Sequence, residues 1–129
     1  MHTVVVVITD DGSFENELAP FDQDLEVEVV STEGDEIEYS NPDTMWDFYV
    51  VGGRWEGQLI RKADGTPVDV AEVHELDTEF GIMNMDTMSY VPEVLYEGFW
   101  YTEEDDCRTI LYGLRNMPNK HVAIIDYHI

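Results

Sequence analysis

Few side chains of this 129-residue chain have the types and spacing that chemistry requires. Asp126 and His128 stand two apart in the terminal apolar run. On a strand both would project from one face, where they could ligate a metal or share a proton. The polar hydrogen bonds of a terminal strand account for them equally well. Gly52-Gly53-Arg54 could fold into a small anion nest beside a guanidinium. It closes the stretch Asn41–Trp55, which holds two of the three tryptophans. A small ligand would then meet Trp46, Asp47, Arg54 and Trp55. The structural alternative is that Arg54 stacks on Trp46 or Trp55 and pairs with Asp47. His2, His74 and His121 have no ligand spacing to one another or to His128. No Cys-x-x-Cys, His-Glu-x-x-His or EF-hand pattern occurs. Nor does a Gly-x-Ser-x-Gly, a Ser/Lys dyad or a Cys/His pair. The sequence therefore assigns no catalytic residue and no cofactor, and a non-enzymatic role is favoured.

Charge is the outlier. Twenty-nine acids face six bases, for a net charge of −23. Residues 1–53 hold fourteen acids and no Lys or Arg, and Arg54 is the first base. Such a surface repels nucleic acid and anionic membranes, because the electrostatic contribution to both kinds of binding has the wrong sign. It suits a partner with a basic surface, a high-salt environment that screens the carboxylates, or simply an acidic domain. An apolar fraction of 43% fits a folded globule rather than an acidic tail. The length is that of a single domain, residues 1–129. No apolar run approaches the roughly 20 residues that span a bilayer. The single cysteine, Cys107, excludes an internal disulfide, so the expected compartment is a reducing cytoplasm.

The elements that must position these residues read as follows. Thr3–Thr9 is β-branched with apolar residues on both faces, as in a central strand covered on both sides. Phe14–Phe21 holds a short helical turn limited by Pro20. Leu25–Ser31 and Glu36–Tyr39 alternate around Gly34 and read as a hairpin. Its polar face carries Glu26, Glu28, Glu36 and Glu38, and Glu33 and Asp35 add to it at the turn. Like charges opposite each other destabilise a sheet, and no base precedes Arg54. Trp46–Val51 is the next strand, and Gln58–Arg61 with Thr66–Val70 a second hairpin. Val70–Leu76 fits a short helix or a strand. Asp77–Ser89 has no clean period, and Met83, Met85 and Met88 read as packing or contact surface. Tyr90–Tyr101 is a strand interrupted at Pro92 or Gly98. Glu103–Asn116 is the long helix, with Thr102 as N-cap and acids in its first turn. Cys107, Ile110, Leu111 and Leu114 form its apolar face, so Cys107 reads as a small buried hydrophobe. His121–Ile129 is the last strand. Two strongly apolar terminal strands usually pair in mid-sheet. The expected fold is α+β: a mainly antiparallel sheet with one long helix packed on it, in a ferredoxin-like arrangement.

Three separated stretches together resemble a family of uncharacterised proteins of tailed bacteriophages and prophages. They are His2–Ile8 with Glu17-Leu18-Ala19-Pro20-Phe21, the run Asn41-Pro42…Trp46-Asp47-Phe48-Tyr49…Gly52-Gly53-Arg54-Trp55, and Val122–Ile129. Family members carry a similar first strand and "LAPF", then "NP…KWDWY…GGRW", and end in "DCHI". Here Met45 stands where members often have Lys, Tyr127 stands where they have Cys, and a long insert before the central motif is absent. The change to Tyr127 argues against metal or thiol chemistry at that position. The resemblance implies phage origin and names no activity.

These readings lead to three expectations. The first is a phage accessory protein in the cytoplasm of the infected cell, which inhibits a host protein through its acidic face. Alternate residues on one strand face are about 6.6–6.8 Å apart, a pitch at which carboxylates imitate a phosphate track, so the target could be a defence nuclease or another DNA-binding enzyme. The second is a nucleotide or phosphate-ligand domain, binding or enzymatic, centred on the tryptophan motif. The third is salt adaptation, to which a content of only two lysines is suited. The sequence sets no oligomeric state.

Overall fold

In the computed structural model the described residues are 1–26, 28–33, 36–77 and 91–129, with Glu28–Glu33 and Glu36–Ser40 described by backbone. The fold is α+β, and its sheet is mainly antiparallel. The methionine-rich run and Asp35 lie outside the described residues.

The two terminal strands form the centre, as their all-apolar patterns demand. β1 (His2–Thr9) and β10 (His121–His128) pair antiparallel over their full length, from His2 opposite His128 to Thr9 opposite His121. Val4–Ile8 and Val122–Ile125 are buried on both faces, which is why neither strand alternates. β8 (Glu93–Tyr96) runs parallel to β1 on its other side, the only parallel pair among the described strands, and β9 (Phe99–Tyr101) closes that edge. The β8–β9 turn sets both Glu97 and Gly98 at positive φ, the two-residue geometry that suits strand twist. What the sequence offers as one interrupted strand is therefore a hairpin.

The far side of β10 is shared. β4 (Phe48–Val51) pairs with Ile125–His128, and β7 (Val70–Glu72) pairs with His121–Ala123. At the handover Ile124 donates its N–H to the Asp69 carbonyl and accepts from the Gly52 N–H, both at 2.8 Å. Val70–Leu76 proves to be both of its alternatives: a short strand followed by a 3-10 turn at Val73–Glu75.

α2 (Glu104–Gly113), prolonged by a 3-10 turn at Leu114–Asn116, covers one sheet face. Cys107, Leu111 and Leu114 pack there on Val4, Val6, Ile8, Val122 and Ile124, together with Leu59 and Val73. Glu103, not Thr102, occupies the N-cap, and no side chain caps that end. Cys107 is buried as expected; its Sγ donates to the Tyr101 carbonyl at 3.3 Å, and burial pushes the thiol up from its ordinary pKa. The other face is covered by α1 (Phe14–Leu18), the Ala19–Phe21 turn, Met45 and Trp46. β5 (Leu59–Ile60) and β6 (Pro67–Val68) form the second expected hairpin.

β2 (Glu28–Glu33) and β3 (Glu36–Ser40) form a two-stranded ribbon separate from the main sheet. β2 runs two residues further than its alternation suggests. A register shift between Val29 and Ser31 sets Glu33 opposite Glu36, Ser31 opposite Glu38 and Glu28 opposite Ser40. No described helix is long and apolar enough to cross a membrane.

Candidate functional site

The motif residues meet on the main sheet and in the loops that cover it, and they are largely occupied with one another. The Leu18–Phe21 segment and the Asn41–Trp46 segment, twenty residues apart, are stitched by polar side chains. Asn41, 5% exposed, donates to the carbonyls of Pro20 at 2.7 Å and Asp22 at 2.9 Å, while its Oδ1 accepts the Asp43 N–H at 3.0 Å. Trp46 Nε1–H donates to the Leu18 carbonyl at 2.9 Å, and the Met45 N–H to that of Phe21 at 2.8 Å. An unpaired buried amide costs roughly 1–3 kcal/mol, so these residue types are needed to close this loop over the sheet. The Trp46 ring meets Tyr49 edge-on at 4.9 Å between centroids.

The Gly-Gly turn closes over the middle of β10. Asp126 is 3% exposed. Its Oδ1 accepts from His2 Nδ1 at 2.7 Å and its Oδ2 from the backbone N–H of Arg54 at 3.0 Å. Gly53 sits at φ +53°, and a Cβ there would fall 2.6 Å from Asp126 Cβ. A Cβ on Gly52, at φ +74°, would fall 2.6 Å from Asp69 Oδ2. Asp69 Oδ1 in turn accepts the Gly57 N–H at 2.8 Å. The turn thus lends one backbone N–H, that of Arg54, to the Asp126 carboxylate and passes close to Asp69, while the Gly52 N–H is spent on the Ile124 carbonyl.

Beside it His128 Nδ1 donates to Asp47 Oδ1 at 2.9 Å, and this hydrogen bond holds the Asp47 carboxyl below the usual carboxylate range. The Phe48 ring stacks on His128 at 4.8 Å and 15°, and His2 meets His128 edge-on at 5.2 Å. Asp126 and His128 thus share a face, as expected, but take different partners. Asp47 pairs with His128 rather than with Arg54, whose side chain is exposed. Trp55 packs against the helix-side core. Sequence reasoning missed His2 and Asp69 as members of this cluster. Pairing the first strand with the last in register would have found His2, which lies opposite His128. Nothing in the sequence marks Asp69.

Two hollows adjoin these residues. One of about 230 Å³ is lined by His2, Thr3, Val4, Trp55, Val91 and Glu93. That is below the roughly 300–1,000 Å³ of ordinary ligand sites, and Glu93 is the wrong sign for a phosphate. The Glu93 carboxylate is also engaged, accepting from Trp100 Nε1 at 3.1 Å and from the Tyr127 hydroxyl. The other, about 500 Å³, lies between the Pro20–Phe21 and Pro42–Met45 segments and the β8–β9 turn, with Asp43 as its charged group.

Of the acidic candidates, Glu26 is exposed. Glu28, Glu33, Glu36 and Glu38 have their places in the β2–β3 register, with Glu33 and Glu36 directly opposed. Asp35 lies outside the described residues. Comparison with family models, curated proteins and solved structures gives no match.

Proposed function

We propose that this chain is a non-enzymatic phage accessory protein, working in the cytoplasm of the infected cell, that binds and inhibits a host protein with a basic surface. The contact face is the acidic ribbon around Glu26, Glu28, Glu33, Asp35, Glu36 and Glu38. The observation that carries the reading is the cross-strand register of Glu33 with Glu36, in a half-chain with fourteen acids and no base. Opposed like charges cost a ribbon stability, and the cations of a partner would offset that cost. A protein whose groove holds DNA presents Lys and Arg of complementary charge. Defence nucleases and other DNA-binding enzymes are therefore the target class, with DNA mimicry as the mode. Of the ferredoxin-like arrangement expected from the sequence, the β9–α2–β10 unit is in keeping, whereas β8 runs parallel to β1 and β9 takes the edge.

The nucleotide-binding alternative loses support because the Arg54 N–H is given to Asp126 and the carboxylates of Asp126 and Asp69 lie against the Gly-Gly turn, where they repel a phosphate. The hollow beside His2 favours a second reading, a small neutral or cationic ligand held near Trp55 and Glu93. Thermal shift separates the two: a small ligand that binds only the folded chain raises Tm with its concentration.

The test of the first reading is capture from bacterial lysate by the wild type and by a variant with Glu26, Glu28, Glu33, Glu36 and Glu38 changed to Gln. A partner lost in the variant, lost at high salt and displaced by duplex DNA supports mimicry. Capture undiminished by the five changes refutes it.

A further inference from the structure

We infer that Glu72, His74, Glu75 and His121 form a site for a divalent transition-metal ion of the zinc class. His74 and His121 are 47 positions apart in the sequence, a separation that no ligand motif would suggest. The fold brings both to one carboxylate. Glu72 ends β7 directly opposite His121, the first residue of β10. Its two oxygens face two imidazoles: Oε1 lies 3.2 Å from His121 Nε2 and Oε2 lies 2.5 Å from His74 Nε2. One ligand atom each from Glu72, His74 and Glu75 lies within 4.8 Å of the other two.

Two imidazole nitrogens and two carboxylates are a donor set of the zinc type, and Nε2 is among the commonest zinc-binding atoms. Bonds of about 2.0–2.1 Å in a tetrahedron place donors roughly 3.3 Å apart. The His121–Glu72 separation already meets that, and the His74–Glu72 one needs only a small side-chain rotation. The two nitrogens face different oxygens of Glu72, so His121 joins the Glu72, His74 and Glu75 group once the carboxylate or its ring turns.

The scaffold beneath the cluster is fixed. The Val73–Glu75 turn is tied to the 118–120 segment by Val73 N–H to the Lys120 carbonyl at 2.9 Å and His74 N–H to that of Pro118 at 3.1 Å. On its other side the Lys62 N–H donates to the Glu75 carbonyl at 2.9 Å. The His121 ring lies close over Gly12, where a Cβ would sit 3.3 Å from His121 Nδ1. This leaves Nε2 as the nitrogen turned toward Glu72. Arg61 Nε, 3.9 Å from Glu75 Oε2, is a competitor at the limit of ion-pair contact.

The experiment is a titration of the full chain with Zn²⁺, and with Co²⁺ as a spectroscopic stand-in, in excess Mg²⁺. Mg²⁺ saturates a diffuse carboxylate surface but avoids imidazole. The expected result is one equivalent of Zn²⁺ bound despite the Mg²⁺, with the visible bands of four- or five-coordinate Co²⁺. His74→Ala and His121→Ala should each weaken Zn²⁺ binding by about tenfold or more, given that outer-shell changes alone cost 10–100-fold. Unfolding curves in chelator confirm that the variants fold, and His121→Gln serves if the alanine does not. Displacement of Zn²⁺ by Mg²⁺, or affinity unchanged in both histidine variants, overturns the proposal.

Discussion

Gly53→Ala isolates the contact on which the central motif depends. The added methyl would lie 2.6 Å from Asp126 Cβ, and an alanine would be held at φ +53°. The left-handed backbone alone costs about 1–2 kcal/mol for a residue with a Cβ. Relief of the clash then takes one of two routes. The turn stays and the site is overpacked, at about 1–3 kcal/mol. Otherwise the turn swings away and the buried Asp126 carboxylate loses the Arg54 N–H, at about 1.5–3 kcal/mol. These routes are alternatives rather than summands, so the total is about 2–5 kcal/mol, a large part of the roughly 5–15 kcal/mol that holds a domain folded. Urea unfolding of wild type, Gly53→Ala, Asp126→Gly (which removes the clashing Cβ as well as the carboxylate) and the double variant gives both the cost and its origin. With Asp126 truncated, the glycine change should cost only the backbone part. The cycle should then show about 1–3 kcal/mol of coupling, within the range known for residues in contact. A cost under about 1 kcal/mol, or an equal cost with and without Asp126, refutes the packing argument.

Three further outcomes follow from the same structure. Leu111→Ala, at a fully buried position under α2, should lower stability by about 2–5 kcal/mol in urea melts; a value near zero would mean that α2 does not seal that face. Tyr127 is raised by burial first and by the Glu93 hydrogen bond second. Its hydroxyl thus ionises more readily in the unfolded chain, and stability should fall as pH rises past about 10. Tyr127→Phe should flatten that alkaline slope, and an unchanged slope would place its origin elsewhere. The Tm should rise with NaCl as the −23 charge is screened; a chain unfolded in dilute buffer would instead point to salt adaptation.

The fold was legible where one physical demand dominated. The β-branched run of β1 suits a strand buried on both faces, and the apolar Val122–Ile125 of β10 suits a partner beside it, so both strands and their pairing could be read from the sequence. The face of α2 followed from the spacing of Cys107, Leu111 and Leu114. Legibility failed where tertiary partners decided. Glu97 takes a positive φ that its residue type does not announce, so β8 and β9 read as one strand. Thr102 is a better cap by type than Glu103, yet the helix begins after the acid. The central motif reads chemically as an anion nest, but what its turn meets are Asp69, 17 residues beyond Gly52, and Asp126, 72 beyond Arg54. Tyr127 finds its place between Trp100, at 5.1 Å, and the Glu93 carboxylate.

The motif that looked most like a site thus spends its polar groups on holding the sheet's ends and loops together. The working surface proposed is the acidic ribbon instead. The most direct test is quantitative binding of a captured host protein by the wild type and by the five-fold Glu→Gln variant, across a salt series. The account predicts affinity that falls steeply with salt for the wild type and is abolished in the variant, with Gly53→Ala binding normally wherever it is folded. Equal affinity for wild type and variant, with no dependence on salt, would contradict it.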